Sequence, residues 1–214
     1  IVGTNAFRLY EGELGIRLPL GGVANTGDID IAQFEKLSLA LQDQVSPSLE
    51  ETFSTLKFNP LPGLAPGKIW RWAQGGSGQL VEFLTPAFGE ETIRALPALG
   101  VSAQALNYLN FLIAEPIYAA VIYRSGVLVQ VPRPERYAIH KLIVADRRRD
   151  GAGSLKASKD REQAAFLIEA MAEDRPDDLS HAYAAATEVG PRWREHIANS
   201  LSRMPDTQEI LNSL

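Results

Sequence analysis

The sequence predicts an α+β fold in which a mixed-sheet α/β domain precedes a C-terminal helical bundle. Two observations lead to this fold class. Segments with alternating apolar and polar residues, the pattern of half-buried strands, occur within residues 1–131. From residue 132 onwards, apolar residues recur at the three- and four-residue spacing of amphipathic helices. We therefore expect a sheet domain over residues 1–131 and a helical domain over residues 132–214, with a ligand cleft between them.

The composition is that of an ordinary globular chain. The 214 residues are 45% hydrophobic and 22% charged, with a net charge of −5, which argues against a general polyanion binder. No apolar run is long enough to cross a bilayer, and no signal peptide is visible. The absence of cysteine excludes a disulfide framework and fits a reducing compartment, so we expect a cytoplasmic protein. The opening Ile1-Val2 has the character of a strand already under way, which suggests a fragment of a longer protein.

The first elements are a strand that runs into a tight turn and a helix over residues 5–15, which ends at Gly15. At this turn Gly3 would let a phosphate approach the backbone, and Thr4 adds a hydroxyl group at the start of the helix. An ordinary helix cap accounts for the same two residues. A brief strand is expected over residues 16–18.

The segment Thr-Gly-Asp-Ile-Asp-Ile-Ala over residues 26–32 predicts a short strand entered from a glycine turn. Asp28 and Asp30 fall on one face of this strand, and Ile29 and Ile31 on the other. Two adjacent carboxylates repel each other unless a cation lies between them, and oxygen ligands at this spacing suit Mg²⁺. The alternative is an amphipathic strand whose polar face is solvated.

The next segments predict helices over residues 34–44 and 47–56, the second with Ser46 as its N-cap and Pro47 in the first helical position. Strands over residues 68–73 and 79–84 are joined by a glycine-rich turn and form a hairpin. Glu82 is the only charge in the second strand, and such a residue usually points to water. A strand beside the aspartates would instead bring a third carboxylate to them.

The remaining strands are expected over residues 104–112, 117–123 and 127–131, and helices over residues 134–148, from residue 158, and over residues 177–189 and 191–203. Lys141 and Arg148, seven residues apart, share a helix face. The helix from Ser158 has the core stripe Ala164, Leu167, Ile168 and Met171, with Asp160 and Gln163 at the mouth of the stripe.

Ser158 as an N-cap would place Lys159 and Asp160 in the first turn of this helix. The helix dipole favours aspartate there and disfavours lysine, so Lys159 should have another partner. The basic residues of this region, including Arg147, Arg148 and Arg149, can equally form a solvated helix face.

Five motifs follow one another along almost the whole chain. The first three are Val-Gly-Thr-Asn-Ala over residues 2–6, Thr-Gly-Asp-Ile-Asp-Ile-Ala over residues 26–32 and Val-Glu-Phe-Leu-Thr-Pro over residues 81–86. The fourth is Val-Pro over residues 131–132 with Arg-Tyr-Ala-Ile-His-Lys-Leu over residues 136–142. The fifth is Lys-Ala-Ser-Lys-Asp over residues 156–160 with Gln-Ala over residues 163–164. In this order they resemble the DNA polymerase β-type nucleotidyltransferase superfamily, and within it a bacterial family of nucleotidyltransferase-fold proteins. The toxin nucleotidyltransferases of abortive-infection systems are more distantly similar.

The chain departs from the superfamily pattern at three points. The gap between Gly3-Thr4 and Asp28 is longer than in most members, and Thr4 stands where glycine or serine is commoner. Glu82 replaces the more usual aspartate, and its longer side chain must meet the same narrow range of metal–oxygen distances.

The resemblance implies transfer of a nucleoside monophosphate from an NTP to a hydroxyl group of RNA, a protein or a small molecule. It implies two Mg²⁺ ions held by the catalytic carboxylates Asp28, Asp30 and Glu82, with Glu82 accepting the hydroxyl proton. The nucleotide would be held by Gly3, Thr4, Lys141, Arg148, Lys159 and Asp160. An antitoxin or a second copy of the chain would be the protein partner. The alternative is a non-catalytic nucleotide-binding or complex-forming module with the same fold.

The sequence also contains two tryptophans and one histidine near these motifs whose roles are functional or structural. Trp70 and Trp72 can stack on a nucleobase, but packing in the core or at an interface is the expected role. His140 precedes Lys141 and points elsewhere on the helix, so we expect a structural role for it.

Overall fold

The computed structural model describes residues 1–19, 22–37, 45–63, 66–150 and 153–214. The chain divides into two compact units, and each consists of two segments. The first unit contains Ile1–Ala6 and Asn25–Ile113, and the second contains Phe7–Ala24 and Ala114–Leu214. The domain boundary after residue 131 stays a prediction.

The first unit is built around a six-stranded mixed sheet. Its strands are β1 (Asp28–Ala32), β2 (Phe58–Pro60), β3 (Arg71–Gln74), β4 (Leu80–Pro86), β5 (Ile93–Leu96) and β6 (Val101–Leu106). The order is β2-β3-β4-β6-β5, and β1 pairs with β4. Helices α2 (Leu49–Thr55) and α3 (Leu109–Ile113) and a 3-10 turn (Pro97–Leu99) complete the unit.

Strand alternation separates a buried face of this sheet from a half-buried one. Val81 and Phe83 of β4 are buried, whereas Glu82 between them is half-buried. The buried pair belongs to a core cluster whose other members are Phe53, Phe58, Trp72, Leu96 and Ala103, with Ile29 and Ile31 packed against it. The predicted alternation of β1 is therefore confirmed, and the isoleucines face the core.

The second unit is mainly helical. Helix α1 (Gly3–Leu14) begins in the first unit and continues in the second, followed by a 3-10 turn (Gly22–Ala24). Strands β7 (Ile117–Val121) and β8 (Val127–Val131) form an antiparallel hairpin. The helices α4 (Pro134–Arg147), α5 (Ser154–Asp174), α6 (Pro176–Glu188), α7 (Pro191–Leu201) and α8 (Pro205–Ser213) follow. Helix α4 packs against α5, α6 and α7.

The apolar stripe of α5 forms part of the core of the second unit, as predicted. Ala164, Leu167, Ile168 and Met171 are all buried. Asp160 and Gln163, expected at the mouth of the stripe, are also buried, with 2% and 0% of their surface exposed. Among the described residues, no helix combines the length and the apolarity that a membrane crossing requires.

Two predicted N-caps are wrong. Helix α2 begins at Leu49 and is capped by Ser48, because Ser48 and Glu51 form a reciprocal capping box that Ser46 and Pro47 cannot form. Helix α5 begins at Ser154, so Ser158 lies inside the helix, where its hydroxyl group donates to Glu162. Lys159 and Asp160 therefore lie in the second turn, where the helix dipole no longer disfavours a lysine.

The strand predicted over residues 104–112 is also wrong in its second half. Strand β6 ends at Leu106, Tyr108 adopts a positive φ of 71°, and helix α3 follows. The brief strand predicted over residues 16–18 has no regular structure. The helix predicted over residues 34–44 falls largely on residues 38–44, which lie outside the described residues. Helix α8 was not predicted.

Candidate functional site

The three predicted catalytic carboxylates share one face of two neighbouring strands. Strands β1 and β4 are parallel, and their register places Asp30 directly beside Glu82 and Asp28 beside Leu80. Directly paired residues project to the same face of a sheet, as do residues two apart on one strand. Asp28, Asp30 and Glu82 are all half-buried and lie on the face opposite the apolar core cluster.

The start of helix α1 lies next to these carboxylates. The Val2 N–H donates to the carbonyl oxygen of Asp30 at 2.9 Å, and the Asn5 amide donates to the carbonyl oxygen of Asp28 at 2.6 Å. Gly3 between them has a φ of +65°, and a Cβ at this position would collide with the Asp30 carboxylate. Thr4 is buried. The structure thus brings Gly3 and Thr4 together with the aspartates within the first unit.

The donor set of this face suits a hard divalent cation. Its three carboxylates supply oxygen ligands of the type that Mg²⁺ prefers. In the described part of the chain, however, no three Asp, Glu or His side chains are already gathered in a metal-binding arrangement. Asp28, Asp30 and Glu82 fit magnesium in their chemistry and their register, and the magnesium site stays a prediction.

Arg71 is a residue of this face that sequence reasoning missed. It lies on β3, directly opposite Glu82 in the antiparallel pairing of β3 with β4. Its guanidinium carbon lies 4.5 Å from the centroid of the Trp70 ring. The strand prediction over residues 68–73 and the position of Glu82 already contained the signal, because a hairpin register would have placed Arg71 beside Glu82.

The predicted basic residues of the second unit surround a buried carboxylate. Asp160 accepts hydrogen bonds from the Lys141 ammonium group and from the Arg148 guanidinium group, the latter at 2.9 Å. Lys141 is also buried, whereas 44% of the Arg148 side chain is exposed. The predicted shared face of Lys141 and Arg148 on helix α4 explains this geometry, since α5 presents Asp160 to both cations.

The electrostatic environment keeps this carboxylate ionised. Burial raises the pKa of Asp160, but the charges of Lys141 and Arg148 and their hydrogen bonds outweigh burial, so the pKa lies below its ordinary value. Burial, reinforced by the charge of Lys141, lowers the pKa of the neighbouring His140 to about 3. His140 is therefore a neutral imidazole at physiological pH.

A second series of hydrogen bonds holds helix α5 at Gln163, one turn after Asp160. The Tyr137 hydroxyl donates to the Gln163 side-chain oxygen at 2.9 Å, and the Gln163 amide donates to the Val23 carbonyl oxygen at 2.7 Å. The Lys141 ammonium group lies 5.3 Å from the centroid of the Tyr137 ring. Lys159, on the same helix, is half-buried.

Trp72, one of the two tryptophans considered above, lies in the core of the first unit. Trp72 is buried in the core cluster, with its ring centroid 5.1 Å from that of Phe53 and 5.3 Å from that of Phe83. It has the core role that we expected. A cavity of about 620 Å³ also borders Phe53, Phe58 and Trp72, and none of the three carboxylates lines it.

Comparison with known proteins identifies the family. No curated protein and no solved structure matches the chain significantly. A family model described as "Nucleotidyltransferase" matches residues 1–188, a range that contains the Asp28, Asp30 and Glu82 face and the Lys141, Arg148 and Asp160 cluster. The chain therefore belongs to this nucleotidyltransferase family.

Proposed function

We propose that the protein is a magnesium-dependent nucleotidyltransferase that moves a nucleoside monophosphate from an NTP to a hydroxyl group of an acceptor, either RNA or a small molecule. The observation that carries the proposal is the parallel register of β1 and β4, which sets Asp30 beside Glu82 on the face that also bears Asp28. Family membership supports general nucleotidyl transfer.

Each residue of this face has a role in the proposed reaction. Asp28, Asp30 and Glu82 would hold two Mg²⁺ ions, which offset the negative charge that develops on the attacking and leaving oxygens. The Glu82 carboxylate takes the proton of the acceptor hydroxyl group. The acceptor oxygen forms a bond to the α-phosphorus as the bond from that phosphorus to the bridging oxygen breaks. Pyrophosphate leaves with that electron pair.

The start of helix α1 has a binding role in this proposal. The backbone at Gly3 would hold the triphosphate together with the Thr4 hydroxyl group, which supplies a donor. The positive φ of Gly3 and the position of Asp30 leave no room for a larger residue.

The basic cluster of the second unit would bind the β- and γ-phosphates. Two cations, Lys141 and Arg148, share one buried anion, Asp160, and so the cluster carries one net positive charge. Asp160 orients the two cations, and the half-exposed Arg148 offers its remaining N–H donors to a phosphate. Lys159 would add a further charge. For an RNA acceptor we propose a toxin-like role with an antitoxin partner, as the resemblance to abortive-infection toxins suggests.

The test is a transfer assay with each NTP labelled at the α-phosphate, in Mg²⁺, with total cellular RNA, the protein alone or a metabolite extract as the acceptor. We expect labelled product and an equal amount of pyrophosphate from the wild type, and neither from Asp30→Asn. Glu90→Gln, an exposed change in the same unit, should behave as the wild type. Nucleotide binding without transfer to any acceptor would contradict the proposed catalysis and would favour the alternative function, a non-catalytic nucleotide-binding module.

A further inference from the structure

A row of three charged residues crosses the sheet of the first unit. The β3–β4 pairing sets Arg71 opposite Glu82, and the β1–β4 pairing sets Glu82 beside Asp30. Direct partners project to the same face, so Arg71 lies on the carboxylate face. Trp72, the next residue, is buried in the core cluster on the opposite face, as strand alternation requires.

Arg71 has an unsatisfied donor in this position. Its Nε atom is buried and has no hydrogen-bond partner among the residues that the structure describes. A buried N–H group without a partner is costly, particularly in a charged side chain, and such groups are few in folded proteins. Because no described residue supplies an acceptor for the Arg71 Nε, this donor is available to an acceptor on a bound substrate.

An ion pair with the neighbouring carboxylates does not account for the presence of Arg71 on this face. Among the described residues Arg71 forms no ion pair, although Glu82 is its direct strand partner. Elsewhere in the same sheet, Arg94 pairs with Glu35 at 3.0 Å. The Arg71 guanidinium group instead lies over the Trp70 ring, a cation–π contact that does not use its N–H donors.

We propose that Arg71 binds a phosphoryl group of the substrate beside the three carboxylates. This inference rests on the proposed function and deepens it. A guanidinium group matches two oxygens of one phosphate, and the donors of Arg71 point to such a bidentate contact. Its place opposite Glu82, the proposed base, puts the phosphoryl group near the reacting hydroxyl. The group is either the α-phosphate of the nucleotide or a phosphate that the acceptor carries.

The experiment compares the full-length wild type, Arg71→Gln and Arg71→Lys, with Arg94→Gln as the matched control from the same sheet. Calorimetric titrations in Mg²⁺ use two probes, which are a set of four α,β-methylene NTP analogues and a short RNA with and without a terminal phosphate. We expect Arg71→Gln to weaken binding of one probe at least tenfold, because a charge-assisted hydrogen bond is lost. Thermal stability should be unchanged or higher, because an unsatisfied buried donor is removed. Arg94→Gln should bind as the wild type does.

Each outcome has a distinct meaning. Weaker binding of the NTP analogues assigns Arg71 to the α-phosphate, and weaker binding of the phosphorylated RNA alone assigns it to the acceptor. Arg71→Lys keeps the positive charge but loses the planar guanidinium group that binds two oxygens at once, so it should weaken binding of the same probe several-fold. This variant decides the question if Arg71→Gln does not fold. Unchanged binding in both variants overturns the inference and leaves the proposed function standing. A wild type that binds neither probe overturns both.

Discussion

Gly3 leaves the space that the carboxylate of Asp30 fills. A Cβ built on residue 3 would lie 3.0 Å from the Asp30 Cγ and would overlap a carboxylate oxygen, and the φ of +65° at Gly3 is itself unfavourable for other residues. The first turn of helix α1 and the second aspartate of β1 are thus fitted to each other. A change at one must disturb the other.

We expect Gly3→Ala to cost more stability than Gly15→Ala. Gly15 has a φ of +66° and no atom near its virtual Cβ, so its substitution measures the backbone cost alone, about 1–2 kcal/mol. Gly3→Ala adds the clash with Asp30, which should raise the cost by about 1–3 kcal/mol. Urea unfolding of both variants tests this difference. Equal losses would show that Asp30 moves aside without cost, and in the double variant with Asp30→Ala the extra loss should disappear.

Asp30→Asn should abolish transfer and leave the fold intact. Loss of a metal-binding carboxylate removes several kcal/mol of transition-state stabilisation, which corresponds to a rate loss of about 100-fold or more. The same result is expected for Asp28→Asn and for the wild type in EDTA. The melting temperature without metal should stay the same or rise, because the repulsion between neighbouring carboxylates is reduced. Full activity of both variants in Mg²⁺ would contradict the metal role.

Asp160→Asn should destabilise the protein by about 3–5 kcal/mol at neutral pH, because it leaves the buried Lys141 ammonium group without a counter-charge. Asp150→Asn, whose partner Arg149 is exposed, is the control and should have little effect. Urea unfolding provides the measurement. A small loss in Asp160→Asn would mean that Lys141 is solvated in the native state.

The effect of Asp160 should also depend on pH. Its folded-state pKa lies below the ordinary value of 3.8, so its contribution is complete above that value and is lost as the pH falls through the folded-state pKa. The difference between the wild type and Asp160→Asn should be constant from pH 5 to pH 7 and should shrink below about pH 4. A difference that persists unchanged in acid would contradict the lowered pKa.

His140 should make the protein less stable as the pH falls below about 6.5. In the folded state its pKa is about 3, so only the unfolded chain takes up the proton over this range. Between pH 6 and pH 4 the free energy of unfolding should decrease by about 1.4 kcal/mol per pH unit through this residue. His140→Gln should remove that slope, whereas the exposed control His181→Gln should retain it. Identical slopes in both variants would contradict a buried neutral imidazole.

Lys159→Ala should weaken nucleotide binding by about 1.5–3 kcal/mol, the range for a hydrogen bond to a charged group, with little change in thermal stability. Calorimetry with an NTP and Mg²⁺ measures the dissociation constant. Lys156→Ala, an exposed lysine one turn earlier on helix α5, is the matched control. Equal dissociation constants for the wild type and Lys159→Ala would assign Lys159 to the protein surface.

Local patterns were sufficient to predict much of the fold. The alternation in β1 and around Glu82 predicted two strands, and the spacing from Ala164 to Met171 predicted a buried helix face. The failure between Leu106 and Ile113 has a local cause, because Leu109, Phe111 and Leu112 fit either a strand or one helical turn. Pro205, at the first position of α8, was a start signal that the prediction missed.

Tertiary pairing could not be predicted in the same way. Asp160 has the polarity of a surface residue, and its burial depends on Lys141 and Arg148, which lie on another helix. The closeness of Asp30 and Glu82 was expected only if their strands were neighbours, and no local pattern fixes strand order. Arg71 is a different case, because the predicted hairpin already contained the signal for its pairing with Glu82 and only the register was not worked out.

The discontinuity of the two units has a consequence for dissecting the protein. A single cut after residue 113 would leave residues 7–24 attached to the first unit, although they belong to the second. The severed C-terminal fragment would lack Phe7 and Tyr10, whose rings pack on Tyr137, and the Tyr10 hydroxyl group that donates to the Pro132 carbonyl oxygen at 2.8 Å. The C-terminal fragment should therefore not fold alone, but it should fold when it is co-expressed with the N-terminal fragment, which carries residues 7–24.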